Sequence, residues 1–180
     1  VSKGRTFILF TSYVLMHQVF DRLQHLSSEL QLLKQGEIPT GQMVRRFKET
    51  PSVIFGTNSF WQGVDVPGEA LKSAIITKLP FDVPSEPLTE ARLEDLRERS
   101  IDPFTHYQMP RAIIQMKQGF GRLIRKQSDT GVVSILDSRV VRRGYGKHFL
   151  NSLPHCRVVE DLNQVKDFFC NLHAADSLKD

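Results

Sequence analysis

Short apolar runs alternate along the chain with longer segments whose apolar positions recur at helical spacing. Thr6-Phe7-Ile8-Leu9-Phe10 is too short for a helix and rich in β-formers, so it predicts a buried strand ending at the polar Thr11-Ser12. Leu15, Val19, Leu23 and Leu26 then repeat with a helical period up to about Ser28. Leu30 to Gln35, closed by Gly36 and Pro39, fits an extension of that helix or a short strand, and the strand is the preferred reading. Thr40 is placed to cap a helix through Lys48 with Met43, Val44 and Phe47 inward. Ser52-Val53-Ile54-Phe55 predicts a strand entering Gly56-Thr57.

The second half continues the alternation. Leu71 to Leu79 predicts a buried strand closed by Pro80, and Pro84 and Pro87 lead into a helix from about Leu88 to Arg99. Ser100 to Met109 reads as irregular, while Pro110 suits the first turn of a helix carrying Ile113, Met116, Phe120 and Leu123. Val132 to Leu136 predicts a strand, Val140 to Leu150 a helix, Arg157-Val158-Val159 a strand and Leu162 to Leu172 a last helix. Repeated β-α units with wholly apolar strands specify an α/β fold, a mostly parallel sheet flanked by helices on both faces. Ligands of such sheets bind at the carboxyl ends of the strands.

Composition narrows the class. At 180 residues, 40% of them hydrophobic, the chain has the size of one domain with its own core. It contains no apolar run of about 18 residues and does not open like a secretory signal, so the expectation is a cytoplasmic protein with no membrane partner. Cys156 and Cys170 are too few for a disulfide framework or a four-thiolate metal or iron–sulfur site, and read as buried or incidental thiols. A formal net charge of +4 does not by itself indicate nucleic acid. Its distribution says more: between Arg111 and Lys147, nine Lys/Arg stand against only Asp129 and Asp137, a window that calls for anionic partners. The acidic stretch from Phe81 to Ser100 reads as a solvated helix face with i,i+4 pairs.

Three clusters carry candidate chemistry. In Phe10-Thr11-Ser12-Tyr13, two hydroxyls follow a strand at a helix start, where amides and hydroxyls can hold a phosphate oxygen; the plain alternative is a helix cap. The stretch from Gly56 to Gly68 sets Thr57, Asn58, Ser59, Gln62 and Asp65 among glycines that permit close backbone approach, a combination able to touch two ligands. Asp65 can accept from ribose hydroxyls or orient an arginine, and Trp61 serves either as a packing anchor or as a stacking surface for a base. In Gln118-Gly119-Phe120-Gly121-Arg122-Leu123-Ile124-Arg125, Gln118, Arg122 and Arg125 fall on one helical face. A guanidinium donates paired hydrogen bonds to the oxygens of a phosphoryl transition state, whereas the plain alternative is surface arginines paired with acidic neighbours. The two glycines each cost a helix roughly 1 kcal/mol relative to alanine, which points to close packing or function.

Together these clusters resemble the DinG family of superfamily 2 DNA helicases, related to the XPD group, over nearly the whole chain. Phe10 to Tyr13 resembles helicase motif IV, Gly56 to Gly68 motif V and Gln118 to Arg125 motif VI. Lys78-Leu79-Pro80-Phe81, Asp137-Ser138-Arg139 and Tyr145-Gly146-Lys147 are further family-like pieces, and Gln62 stands where many relatives carry glutamate. The resemblance implies a RecA-like fold in which Arg122 and Arg125 reach the γ-phosphate of ATP with Gln118 as partner. Asp65, Gly63 and Gln62 would couple nucleotide to DNA, while Thr11, Ser12, Thr57, Asn58 and Trp61 would contact single-stranded DNA. The implied activity is ATP hydrolysis driving 5′ to 3′ unwinding, with roles in repair or replication. ATP and Mg²⁺ would be bound mainly by a first RecA-like domain, and an iron–sulfur cluster or a fused nuclease would lie elsewhere in the parent protein.

An absence sharpens this reading. The chain has no Gly-x-x-x-x-Gly-Lys followed by Ser or Thr; Gly144-Tyr145-Gly146-Lys147-His148 lacks the spacing and the hydroxyl. No Asp-Glu pair beside a strand is available to hold Mg²⁺. The expectation is therefore that residues 1–180 form the C-terminal RecA-like domain of a larger helicase, inactive alone, whose N-terminal partner domain belongs to the same parent chain. Two rivals stand beside it: a non-catalytic single-stranded nucleic-acid-binding RecA-like module, and an unrelated α/β protein whose arginines bind a small phosphorylated ligand.

Overall fold

Successive residues of a strand point to opposite sides of its sheet, and this chain places apolar groups on both. The computed structural model describes residues 2–57, 60, 70–83, 85–124 and 129–176, without the side chains of Arg122 and of residues 173–176. Along it run β1 (Thr6–Leu9), α1 (Tyr13–Leu23), β2 (Gln31–Lys34), α2 (Thr40–Glu49), β3 (Ser52–Gly56) and β4 (Ser73–Ile76). There follow α3 (Pro87–Glu98), α4 (Met109–Leu123), β5 (Val132–Ile135), α5 (Arg139–Arg142), α6 (Gly146–Ser152) and α7 (Leu162–Asp176). The strands pair in the order β2-β3-β1-β4-β5, every pair parallel.

Helices cover both faces. On one, Phe7, Leu9, Ile54 and Ile76 pack with Met43 and Phe47 of α2 and Met116 and Leu123 of α4. On the other, Ile8, Phe10, Val53 and Phe55 pack with Met16 and Phe20 of α1, Phe20 lying edge-on to Phe55 at 5.1 Å. Full burial of such a side chain stabilises by roughly 1.5–3 kcal/mol, so these faces hold the strands in register. The α/β architecture expected from the sequence is thus present.

Local differences have local causes. The buried stripe of α1 is Met16 and Phe20, with Leu15, Val19 and Leu23 only half buried, and a 3-10 turn (Gln24–Ser28) replaces the last helical turn. Thr40 is the first residue of α2 rather than its cap, which is Pro39. The stretch from Ser100 to Met109 is not irregular throughout. Asp102 accepts from the backbone N–H of Phe104 (3.2 Å) and Thr105 (3.0 Å), starting a π-type turn (Phe104–Gln108) that runs into α4. Val140 to Leu150 is two helices. The break falls where α6 begins against α5, since a Cβ on Gly146 would come within 2.0 Å of the Val140 carbonyl oxygen. Arg157-Val158-Val159 is not a strand: no neighbouring strand pairs with it, and Val158 lies 66% exposed. Both cysteines are exposed rather than buried. Among the described residues no helix is long and apolar enough to cross a membrane.

Candidate functional site

Parallel strands bring their carboxyl ends to one edge, and β1 and β3 are neighbours whose following segments diverge. After β1 the chain enters α1 on one face; after β3, Phe60 is fully buried on the other, edge-on to Phe7 at 6.2 Å. Thr11, Ser12 and Thr57 follow closely on these two neighbouring strands. Ser12 caps α1, its hydroxyl accepting from the Leu15 N–H at 3.5 Å, and Thr11 is half buried beside it.

Thr57 is buried and tied to a residue that the sequence did not single out. Gln35, just past β2, accepts through Oε1 from the Thr57 N–H at 2.6 Å and from Thr57 Oγ1 at 3.1 Å. Its Nε2 donates to Tyr13 Oη at 2.9 Å. The amide therefore joins the ends of β1, β2 and β3. Tyr13 is 54% exposed and stacks on the His17 ring at 6.5 Å.

The other half of the same edge is joined by charge. Asp137, after β5, accepts from the Leu79 N–H after β4 (2.9 Å) and from Arg139 through Nε (2.9 Å), Nη2 (2.6 Å) and the backbone N–H (3.0 Å). Burial, the largest single influence, pushes the Asp137 carboxyl up. The Arg139 side chain, the two backbone N–H groups and the Arg139 charge together outweigh it and hold the carboxyl at about 2. Arg139 also lies over the Phe81 ring at 5.3 Å. The family-like pieces Lys78 to Phe81 and Asp137 to Arg139 thus form one joint. Arg111 pairs with Asp82, so two cations of the basic window are matched internally. In the acidic stretch, Arg99 and Asp95 form the expected i,i+4 pair at 2.8 Å.

The third cluster lies elsewhere. Helix α4 begins near the carboxyl edge, where Arg111 meets Asp82, and runs toward the amino edge, where Leu123 lies against Gly131 just before β5. Gln118 is exposed on the later half of α4, and helical register puts Arg122 on the same face. Among the described residues, a Cβ at Gly121 would meet nothing within 4 Å. Packing among the described residues therefore does not account for that glycine. The structure thus groups Thr11, Ser12 and Thr57 at one edge and sets Gln118 and Arg122 toward the other. Arg125, Asn58, Trp61, Gln62, Gly63 and Asp65 lie outside the described residues. In sequence, residues 58–69 connect Thr57 at the carboxyl edge with Leu71 near the amino edge.

Among the described residues no group of three His, Cys, Asp or Glu is placed to hold a metal ion. The chemistry available here is hydrogen bonding and charge: donors for phosphate oxygens at one edge, a glutamine and an arginine position on the helix toward the other.

Residues 1–156 match the family described as the helicase C-terminal domain. The chain is 50% identical over 171 residues to the ATP-dependent DNA helicase YoaA of Haemophilus influenzae, covering 94% of this chain and 27% of that protein. It is 42% identical over 161 residues to the ATP-dependent DNA helicase DinG of Photobacterium profundum, covering 85% of this chain and 23% of that protein. The chain spans about a quarter of the length of these curated relatives. A solved XPD helicase superimposes with a TM-score of 0.62 at 17% identity, over 87% of this chain and 29% of that one, a likeness of fold. Sequence and fold agree: the chain belongs to the helicase C-terminal domain family, is similar in sequence to DinG and YoaA, and has the RecA-like fold that the XPD helicase shares.

Proposed function

We propose that residues 1–180 are the second motor domain of an ATP-dependent DNA helicase that moves 5′ to 3′ in repair or replication. Arg122 and Arg125, with Gln118, act on ATP·Mg²⁺ bound mainly by a first RecA-like domain of the same parent protein, where an arginine finger is typically worth about 10³ to 10⁵ in rate. The loops after β1 and β3, carrying Thr11, Ser12, Thr57, Asn58 and Trp61, face single-stranded DNA. Asp65, Gly63 and Gln62 relay between nucleotide and DNA. What carries the reading is the combination of an arginine-bearing helix with the lack of any phosphate-binding loop in the chain. Such arginines have a target when another domain supplies the nucleotide. The relatives are about four times as long as this chain, which supports that source.

The space around Gly121 supports the same reading, because a helix glycine that meets no other described residue leaves room for an incoming surface. Arg125→Ala in the longer helicase should lower DNA-stimulated ATP turnover by about 10³-fold or more while single-strand binding is nearly kept. Unchanged turnover removes the arginine-finger assignment. Retained binding with no ATP turnover in the unsubstituted protein favours the non-catalytic module instead.

A further inference from the structure

Phosphate oxygens only accept hydrogen bonds, so a residue that holds them needs a proton to give. Beyond the carboxyl end of β3, Thr57 gives both of its protons to Gln35: the backbone N–H at 2.6 Å and the hydroxyl at 3.1 Å each donate to Oε1. Gln35 Nε2 in turn donates to Tyr13 Oη, leaving the phenol its own proton to donate. The amide orientation follows from the network, because only its oxygen can accept from the Thr57 N–H. Tyr13 and Thr57 are each 22 positions from Gln35, so no local turn explains the triad; the parallel strand register assembles it. With 54% exposure and His17 stacked at 6.5 Å, the Tyr13 ring stands at the rim beside the hydroxyls of Thr11 and Ser12.

We propose that Tyr13 is a backbone-phosphate donor of the single-strand path, and that Gln35 is the positioning residue that aims its hydroxyl, with Thr57 as the buttress behind Gln35. The inference rests on the single-strand reading above and reassigns the donor within it. It makes a prediction that a purely structural triad does not. Gln35→Glu preserves both bonds to Thr57 and a bond to Tyr13, but reverses the last: the phenol donates to the carboxylate and has no proton left for DNA.

The test measures, in the longer helicase, the oligothymidylate concentration that half-maximally stimulates ATP turnover. Tyr13→Phe should raise it by about tenfold, the effect of losing one hydrogen bond to a charged oxygen. Gln35→Glu should raise it at least as much. Adding Tyr13→Phe to Gln35→Glu should then change it by less than twofold, since the proton is already spent. A full tenfold further effect of Tyr13→Phe in the Gln35→Glu background overturns the proposal, because the introduced carboxylate would then act only by repelling DNA. So does a change of less than twofold on Tyr13→Phe alone, which decides the matter if the Gln35→Glu protein fails to show a cooperative thermal transition. An unsubstituted protein that oligothymidylate does not stimulate removes the single-strand reading itself.

Discussion

On the β2, β3 and β1 side of the carboxyl edge the loops are joined by a neutral amide; on the β4 and β5 side they are joined by a carboxylate, Asp137, which accepts from the Leu79 N–H and is itself paired with Arg139 two positions on. Both connect segments far apart in sequence, Gln35 reaching 22 positions to Tyr13 and to Thr57, Asp137 reaching 58 positions to Leu79. They differ in how they answer to solvent. The amide triad carries no charge, so it neither titrates in acid nor adds to the field at the rim. The Asp137–Arg139 pair is self-neutralising, yet it stakes stability on one ionised carboxylate with 7% exposure against a guanidinium with 41%. A site that binds phosphate, as proposed above for this edge, gains from this division, since its mechanical ties leave the local charge unchanged.

Breaking the ionic side should have the largest effect. Arg139→Ala leaves Asp137 buried without its bidentate partner, and the urea midpoint should fall by the equivalent of about 2–3 kcal/mol at an unchanged m-value. A loss below about 0.5 kcal/mol would place the pair with ordinary surface bridges. Acid probes the same tie. The Asp137 carboxyl is held at about 2 against an ordinary value of 3.8, so its contribution is complete above about pH 4 and disappears as pH falls through about 2. That contribution is about 2 kcal/mol, and it should be absent from the acid profile of Asp137→Asn. Gln35→Leu is the smallest of the three, about 1–2 kcal/mol for orphaning the buried Thr57 N–H, with an acid profile parallel to that of the unsubstituted chain. A pH-dependent difference there would mean that the two halves of the edge are not independent.

Much of the fold was legible because the strands are short wholly apolar runs, and such runs have few other places to go. Phe7 to Phe10, Val53 to Phe55 and Ala74 to Ile76 all lie in or directly beside the parallel sheet. Where one residue pattern fitted two outcomes, the tertiary setting decided. Val158 and Val159 have strand propensity but no strand beside them to pair with. Asp102-Pro103 was a helix-start signal hidden by the proline two turns later, which drew attention to Pro110. The site was legible as three clusters but not as a geometry. Gln35 is inconspicuous in the sequence because a polar residue closing a strand looks like punctuation; its partners follow only from the parallel register. For the same reason the sequence does not show that α4 runs from one edge of the sheet to the other, with Gln118 toward the edge opposite Thr11, Ser12 and Thr57.

That crossing of the sheet has a mechanical consequence. A parallel sheet filled on both faces moves as one piece, so if the later half of α4 meets nucleotide toward one edge and the loops after β1 and β3 meet DNA at the other, as proposed above, the domain is a short lever arm. Its four-residue strands separate the two edges by roughly 13 Å. If the amino edge is gripped, a rotation of about 15° carries the carboxyl edge through about 3.4 Å, the rise of one nucleotide along a DNA strand.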